Sequence, residues 1–182
     1  MNLYFNGWII QKNKEGLYQG VEGDNWFLNY EEMVDKEIVD YFDDNIDLAW
    51  DDIGRVDVAN DFNYIMKCAN IAMVKNIKFR VILCYTTREN PKANDVKKQT
   101  TFLGYDYAYS GGSYYSAVSN DVVSRRIAIF EKFKLNSNGL FESEEDIIEF
   151  IAERNKLKQN STDSYFEDGD FIIYKLYNLK IE

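Results

Sequence analysis

Between Ile77 and Thr87 every second residue is apolar: Ile77, Phe79, Val81, Leu83 and Tyr85. A period of two puts these side chains on one face of a strand, and that face has to be buried against something. Three more runs rich in aromatic and β-branched residues, at 3–10, 100–109 and 171–181, read as strands too. A shorter run at 16–21 follows the polar turn Lys12-Asn13-Lys14-Glu15-Gly16 and predicts a hairpin with 3–10. Between these runs the period changes. Val34, Ile38, Tyr41, Phe42 and Ile46 share one helical face, behind an N-cap at Asn29 with Glu32 three residues on. Val58, Phe62, Ile65, Met66, Ala69 and Met73 form a second stripe over 58–75. A third helix starts at Ser143, with Asp146 at the capping-box position and Ile147, Ile148, Ile151 and Leu157 inside. A further helix is expected between Val122 and Phe133, a turn at Asn136 to Gly139, and a loop over 88–99, which holds the single proline, Pro91.

Strands before, between and after helices predict an α+β fold. The expectation is a single globular domain over 1–182. It has an antiparallel or mixed sheet, with about three to four helices packed mainly on one face. A chain of 182 residues buries a core without disulfides or metals. Cys68 and Cys84, the only cysteines, sit in apolar periodic segments and read as reduced, buried thiols. The start, MNLYFNGWII, has no cationic leader, and no apolar run approaches the roughly 20 residues of a membrane helix. These features predict a cytoplasmic location and no membrane partner.

The charge is unevenly placed. The net charge is −10, yet thirteen acids and only two bases, Lys36 and Arg55, fall between Asp24 and Asp61. The remainder of the chain is close to neutral. Such a concentration makes a directed field that attracts cationic partners and repels nucleic acid. No basic cluster exceeds Lys97-Lys98 or Arg125-Arg126, so nucleic acid is not an expected partner.

The chain contains no histidine. That removes histidine-based triads and histidine-metal hydrolases, and two scattered cysteines do not make a zinc site. There is no GxxxxGK[ST] and no GxGxxG, so Gly111-Gly112-Ser113 reads as a turn. Glu167-Asp168-Gly169-Asp170 lacks the length and closing Glu of a calcium loop. Asp106 is the one carboxylate inside an apolar strand, between Tyr105 and Tyr107. It is either a half-buried site residue with a raised pKa or a carboxylate bonded to backbone amides at the turn. Alternation predicts Tyr105, Tyr107 and Tyr109 on one face, with Phe102, Gly104 and Asp106 on the other. No cofactor, metal or catalytic residue is expected.

What remains is a non-catalytic binding protein. Acids supply steering and partner choice, and aromatic anchors supply binding energy. The candidate contact residues are Asp40, Asp43, Asp44, Asp47, Trp50, Asp51 and Asp52, with Tyr114 and Tyr115 after the Gly-Gly turn. The stretches FLGYDYAYSGGSYYSAVSNDV (102–122) and LNSNGLFESEEDIIEFI (135–151) resemble segments of immunity proteins of bacterial polymorphic toxin systems. The resemblance implies a small cytoplasmic inhibitor that blocks one cognate toxin; the acidic field implies that the toxin is basic. A homodimer stays open. Two other readings also stay open: an acidic nucleic-acid mimic that antagonises a DNA-binding protein, and a small carboxylate-dependent enzyme centred on Asp106.

Overall fold

A computed structural model describes residues 1–12, 61–74, 76, 78–88, 98–109, 132–160 and 171–181. Four strands, β1 (Tyr4–Lys12), β2 (Phe79–Thr86), β3 (Thr100–Tyr109) and β4 (Phe171–Leu179), form one sheet in the order β1-β2-β4-β3. All three pairings are antiparallel. The last strand therefore enters between β2 and β3. Helix α1 (Phe62–Val74) precedes β2, and helix α2 (Glu144–Asn160) precedes β4. No helix among the described residues is long and apolar enough to cross a membrane.

The expected helix number is corrected. The described residues hold two helices, and three to four are not supported. The stripe over 34–46, the strand over 16–21 and nearly all of the stretch between Val122 and Phe133 lie outside the described residues. Lys132 and Phe133, at the end of that stretch, are described and are not part of an α-helix. At Lys132 and Phe133 the apolar spacing does not by itself make an α-helix.

Each helix begins where its cap allows. Asp61 accepts the N–H of Asn63 on Oδ1 at 2.8 Å, and its carbonyl accepts from Ile65 at 3.2 Å. The hydroxyl of Ser143 accepts the N–H of Asp146 at 3.0 Å, as the Ser-x-x-Asp spacing predicts. The buried faces differ from the expected stripes. On α1 they are Tyr64, Ile65, Cys68, Ala69 and Ala72, whereas Met73 is 49% exposed. Small Cys68, Ala69 and Ala72 let the helix pack closely on Trp8, Ile10, Val81 and Leu83. On α2, Ile147, Phe150 and Arg154 are buried, while Ile148 and Leu157 are exposed.

Both helices cover the same sheet face. Cross-strand registers align Trp8, Leu83, Tyr177 and Phe102 in one row, and Phe5, Tyr85, Lys175 and Tyr105 in the next. Helix α1 packs at the β1–β2 end of this face, with Leu179 from β4. Helix α2 packs at the other end, on Tyr107 of β3 and Ile173 of β4. There Phe150 meets Tyr107, Phe133 and Phe141 at ring-centroid distances of 5.4, 5.3 and 5.0 Å. The guanidinium of Arg154 lies 4.5 Å from the Phe171 ring centroid. The opposite sheet face buries Ile9, Ile82, Cys84, Ala108, Ile172 and Leu176. Both cysteines are free and buried.

Candidate functional site

Along β4 the alternation places Phe171, Ile173, Lys175, Tyr177 and Leu179 on the helix-bearing face. Phe171 and Ile173 belong to the α2 cluster, and Tyr177 and Leu179 to the α1 cluster. Lys175 stands in the seam between them and belongs to neither. Its Cα pairs with Tyr85 on one side and Tyr105 on the other. Its ammonium lies 5.5 Å from the centroid of Tyr105 and 5.6 Å from those of Phe102 and Tyr177. The rings brace one another: Phe102 against Tyr105 at 5.4 Å, Phe102 against Tyr177 at 5.5 Å, and Tyr85 against Tyr177 at 5.6 Å. Edge and tilted contacts of this kind fix ring positions.

The seam is open to solvent. Phe102 is 41% exposed, and Lys175, Tyr177 and Tyr85 are half-buried. Hydrogen bonding to the phenol of Tyr177 raises the lysine pKa most, and the bond to Tyr105 adds to it, against partial desolvation. Lys175 is therefore a fixed positive charge on an aromatic floor. Sequence reasoning took this strand only as structure. The available signal was a lysine at the centre of an otherwise apolar strand face in FIIYKLYNL.

The tyrosine-rich strand departs from simple alternation at one residue. A bulge between Phe102 and Gly104 shifts the register. Phe102 thus lies on the same face as Tyr105, not on the opposite face with Gly104 and Asp106. The bulge is held by the turn at Asn136 to Gly139, found as expected, with the N–H of Gly139 bonded to the carbonyl of Asn136 at 2.9 Å. Side-chain Nδ2 of Asn136 donates to the Leu103 carbonyl at 2.7 Å. Phe141 then pairs with Tyr105 through bonds of 2.8 and 3.0 Å, covering part of the outer edge of β3.

Asp106 is fully buried on the face away from the helices, in a row with Tyr174 and Thr86. Its Oδ1 accepts the N–H of Tyr107 at 2.7 Å. Its charge adds to the effect of burial in pushing the Cys84 thiol well above its usual pKa, burial being the larger cause. Of the two readings given to Asp106, the backbone-bonded carboxylate matches this geometry, but the bond is made inside β3 and not at a turn. Tyr107 is buried against α2, and of Tyr109 only the backbone pairing with Phe171 is described.

The acidic and aromatic contact candidates, Asp40, Asp43, Asp44, Asp47, Trp50, Asp51, Asp52, Tyr114 and Tyr115, all lie outside the described residues. Asp61, the last acid of the segment, is described, and it caps α1. Comparison with known proteins returned no family model, no curated protein and no solved structure that matches this chain.

Proposed function

We propose that this protein is a non-catalytic binding protein of the immunity type, which captures and neutralises a basic toxin protein through its acidic, aromatic-containing segment. The observation that carries this reading is the ratio of thirteen acids to two bases between Asp24 and Asp61, in a chain otherwise close to neutral. A charge distribution of that kind raises encounter rates with a cationic partner and disfavours anionic ones. The burial of Asp106 supports the same reading, because a carboxylate sealed in the sheet and bonded to its neighbour's amide has no path to a substrate. A cytoplasmic location follows from the role.

The test is co-expression with the protein encoded immediately upstream in its own genome, followed by native mass spectrometry over a range of salt. A one-to-one complex that weakens as salt rises is the expected result. A lone monomer or homodimer at low salt overturns the reading for that partner, and with it the immunity assignment.

A further inference from the structure

The turn at 136–139 carries a chemistry that a binding role does not use. It holds Asn138 followed by Gly139, one of two Asn-Gly pairs in the chain; the other is Asn6-Gly7 in β1. The side-chain amide of an asparagine is open to attack by the backbone nitrogen of the next residue. Glycine, with no Cβ, shields that nitrogen least. In this turn both reacting groups are held. Nη1 of Arg80 donates to Asn138 Oδ1 at 3.2 Å, and Asn138 Nδ2 donates to the Leu103 carbonyl at 3.2 Å. One partner only donates and the other only accepts, so the amide has a single orientation. The N–H of Asn138 is bonded to Asn136 Oδ1 at 2.8 Å. The N–H of Gly139, the attacking nitrogen, is bonded to the Asn136 carbonyl at 2.9 Å. Gly139 is buried at φ +69°, whereas Asn138 is half-buried and Ser137 exposed. Attack therefore requires Asn138 to leave Arg80 and Leu103, and Gly139 to leave Asn136. All of these bonds belong to one short connection, so local opening is enough to break them.

We propose that Asn138 is a modification site: a deamidation site that the closed turn guards, and whose conversion releases the outer edge of β3. In the open turn the Gly139 nitrogen gives up its proton and attacks Asn138 Cγ. The N–Cγ bond forms, the Cγ–Nδ2 bond breaks, and Nδ2 leaves as ammonia with that proton. Water then opens the cyclic imide at either carbonyl, which leaves aspartate or isoaspartate at position 138. Nothing is oxidised or reduced, and water is the only reagent. Either product lacks the Nδ2 donor to Leu103, and isoaspartate also adds a carbon to the backbone of the turn. The turn then no longer closes on the bulge of β3. The pairing of Phe141 with Tyr105, which depends on that closure, is released, and the strand edge is uncovered. Asn6 supplies the contrast. It is 5% exposed, and its neighbours Phe5 and Gly7 both pair with β2, so it is freed only when the sheet opens.

The experiment incubates the full chain in mildly alkaline buffer, native and in urea, and follows each asparagine by peptide mass mapping, which tells amide from carboxylate. In urea Asn138 and Asn6 should convert at rates within about threefold of each other, since the chain around both is open. In the native protein Asn138 should convert at least about tenfold more slowly than in urea, yet at least about tenfold faster than Asn6. Arg80→Ala removes the bond to Oδ1 and should raise the native rate at Asn138 about threefold or more, with Asn6 unchanged. The converted protein, separated by its added negative charge, should exchange the amide hydrogens of Tyr105 and Phe141 faster than the parent does. No conversion at Asn138 in urea overturns the site. So does a native rate equal to that in urea, or one no higher than that of Asn6. An unchanged rate in Arg80→Ala overturns the guard, and unchanged exchange at Tyr105 and Phe141 overturns the release of the edge. If Arg80→Ala fails to fold, Asn6 accelerates along with Asn138, and the wild-type comparison decides.

Discussion

At the scale of single residues, Gly104 is the most constrained position described. Its φ is +146°, and a Cβ there would stand 2.6 Å from the Leu140 Cβ and 2.8 Å from the Phe141 carbonyl oxygen. Both the backbone conformation and the space exclude a side chain, and the neighbouring carbonyl cannot swing away without breaking its bond to Tyr105. Gly104→Ala should cost about 2 kcal/mol or more, seen as a lower urea midpoint with an unchanged slope. The cysteines give a second test at this scale. Burial pushes the Cys68 thiol from 9.0 up to about 12. Neither thiol should react with a disulfide reagent at pH 8 in the native protein, and both should react in denaturant. The folded pKa of Cys68 lies above the unfolded one, so its contribution to stability is complete below pH 9.0 and is lost as pH rises toward about 12. Cys68→Ala should flatten part of the alkaline fall in the urea midpoint; an unchanged slope would contradict the burial effect.

At the scale of elements, the two described helices separate caps from packing faces. Ser143→Ala removes one bond to the first turn of α2 and should cost about 1 kcal/mol. Phe150→Ala removes the ring at the centre of three aromatic contacts and should cost about 3–5 kcal/mol. Ile148→Ala, at 47% exposure, should stay within about 0.5 kcal/mol. Thermal or urea unfolding of the three variants ranks them directly. The same elements show what the sequence made legible. The strands at 77–87, 100–109 and 171–181 were readable because a period of two survives any tertiary context. The Ser143 cap was readable because it is local chemistry. The buried faces of α1 and α2 were legible in part: Ile65, Ala69 and Ile147 are buried as expected, but size was taken as a sign of burial, so Met73 and Ile148 were expected inside, whereas Ala72 and Arg154 hold those places. The side of Phe102 was not readable either, since one bulge residue reverses every later assignment. Lys175 gained its meaning only from strand order, which sets β4 between Tyr85 and Tyr105.

At the scale of the molecule, the proposed role turns on the range over which its charges act. The acidic segment works over about a Debye length, ~8–10 Å at moderate salt, and selects by sign. If that segment draws in a basic toxin, its charges should govern the rate of association more than the lifetime of the complex. Reversing Asp43, Asp44 and Asp47 together to Lys changes the segment's net charge by six, turning its strongest stretch from attraction to repulsion. With the upstream-encoded toxin as partner, the association rate should fall by about tenfold or more at low salt, and the difference should shrink as salt is raised. The dissociation rate should change far less. Stopped-flow kinetics of wild type and variant at two ionic strengths measures all three quantities. A variant that associates as fast as wild type at low salt would show that the acidic segment is a solvated surface and that the partner is recognised elsewhere on the chain.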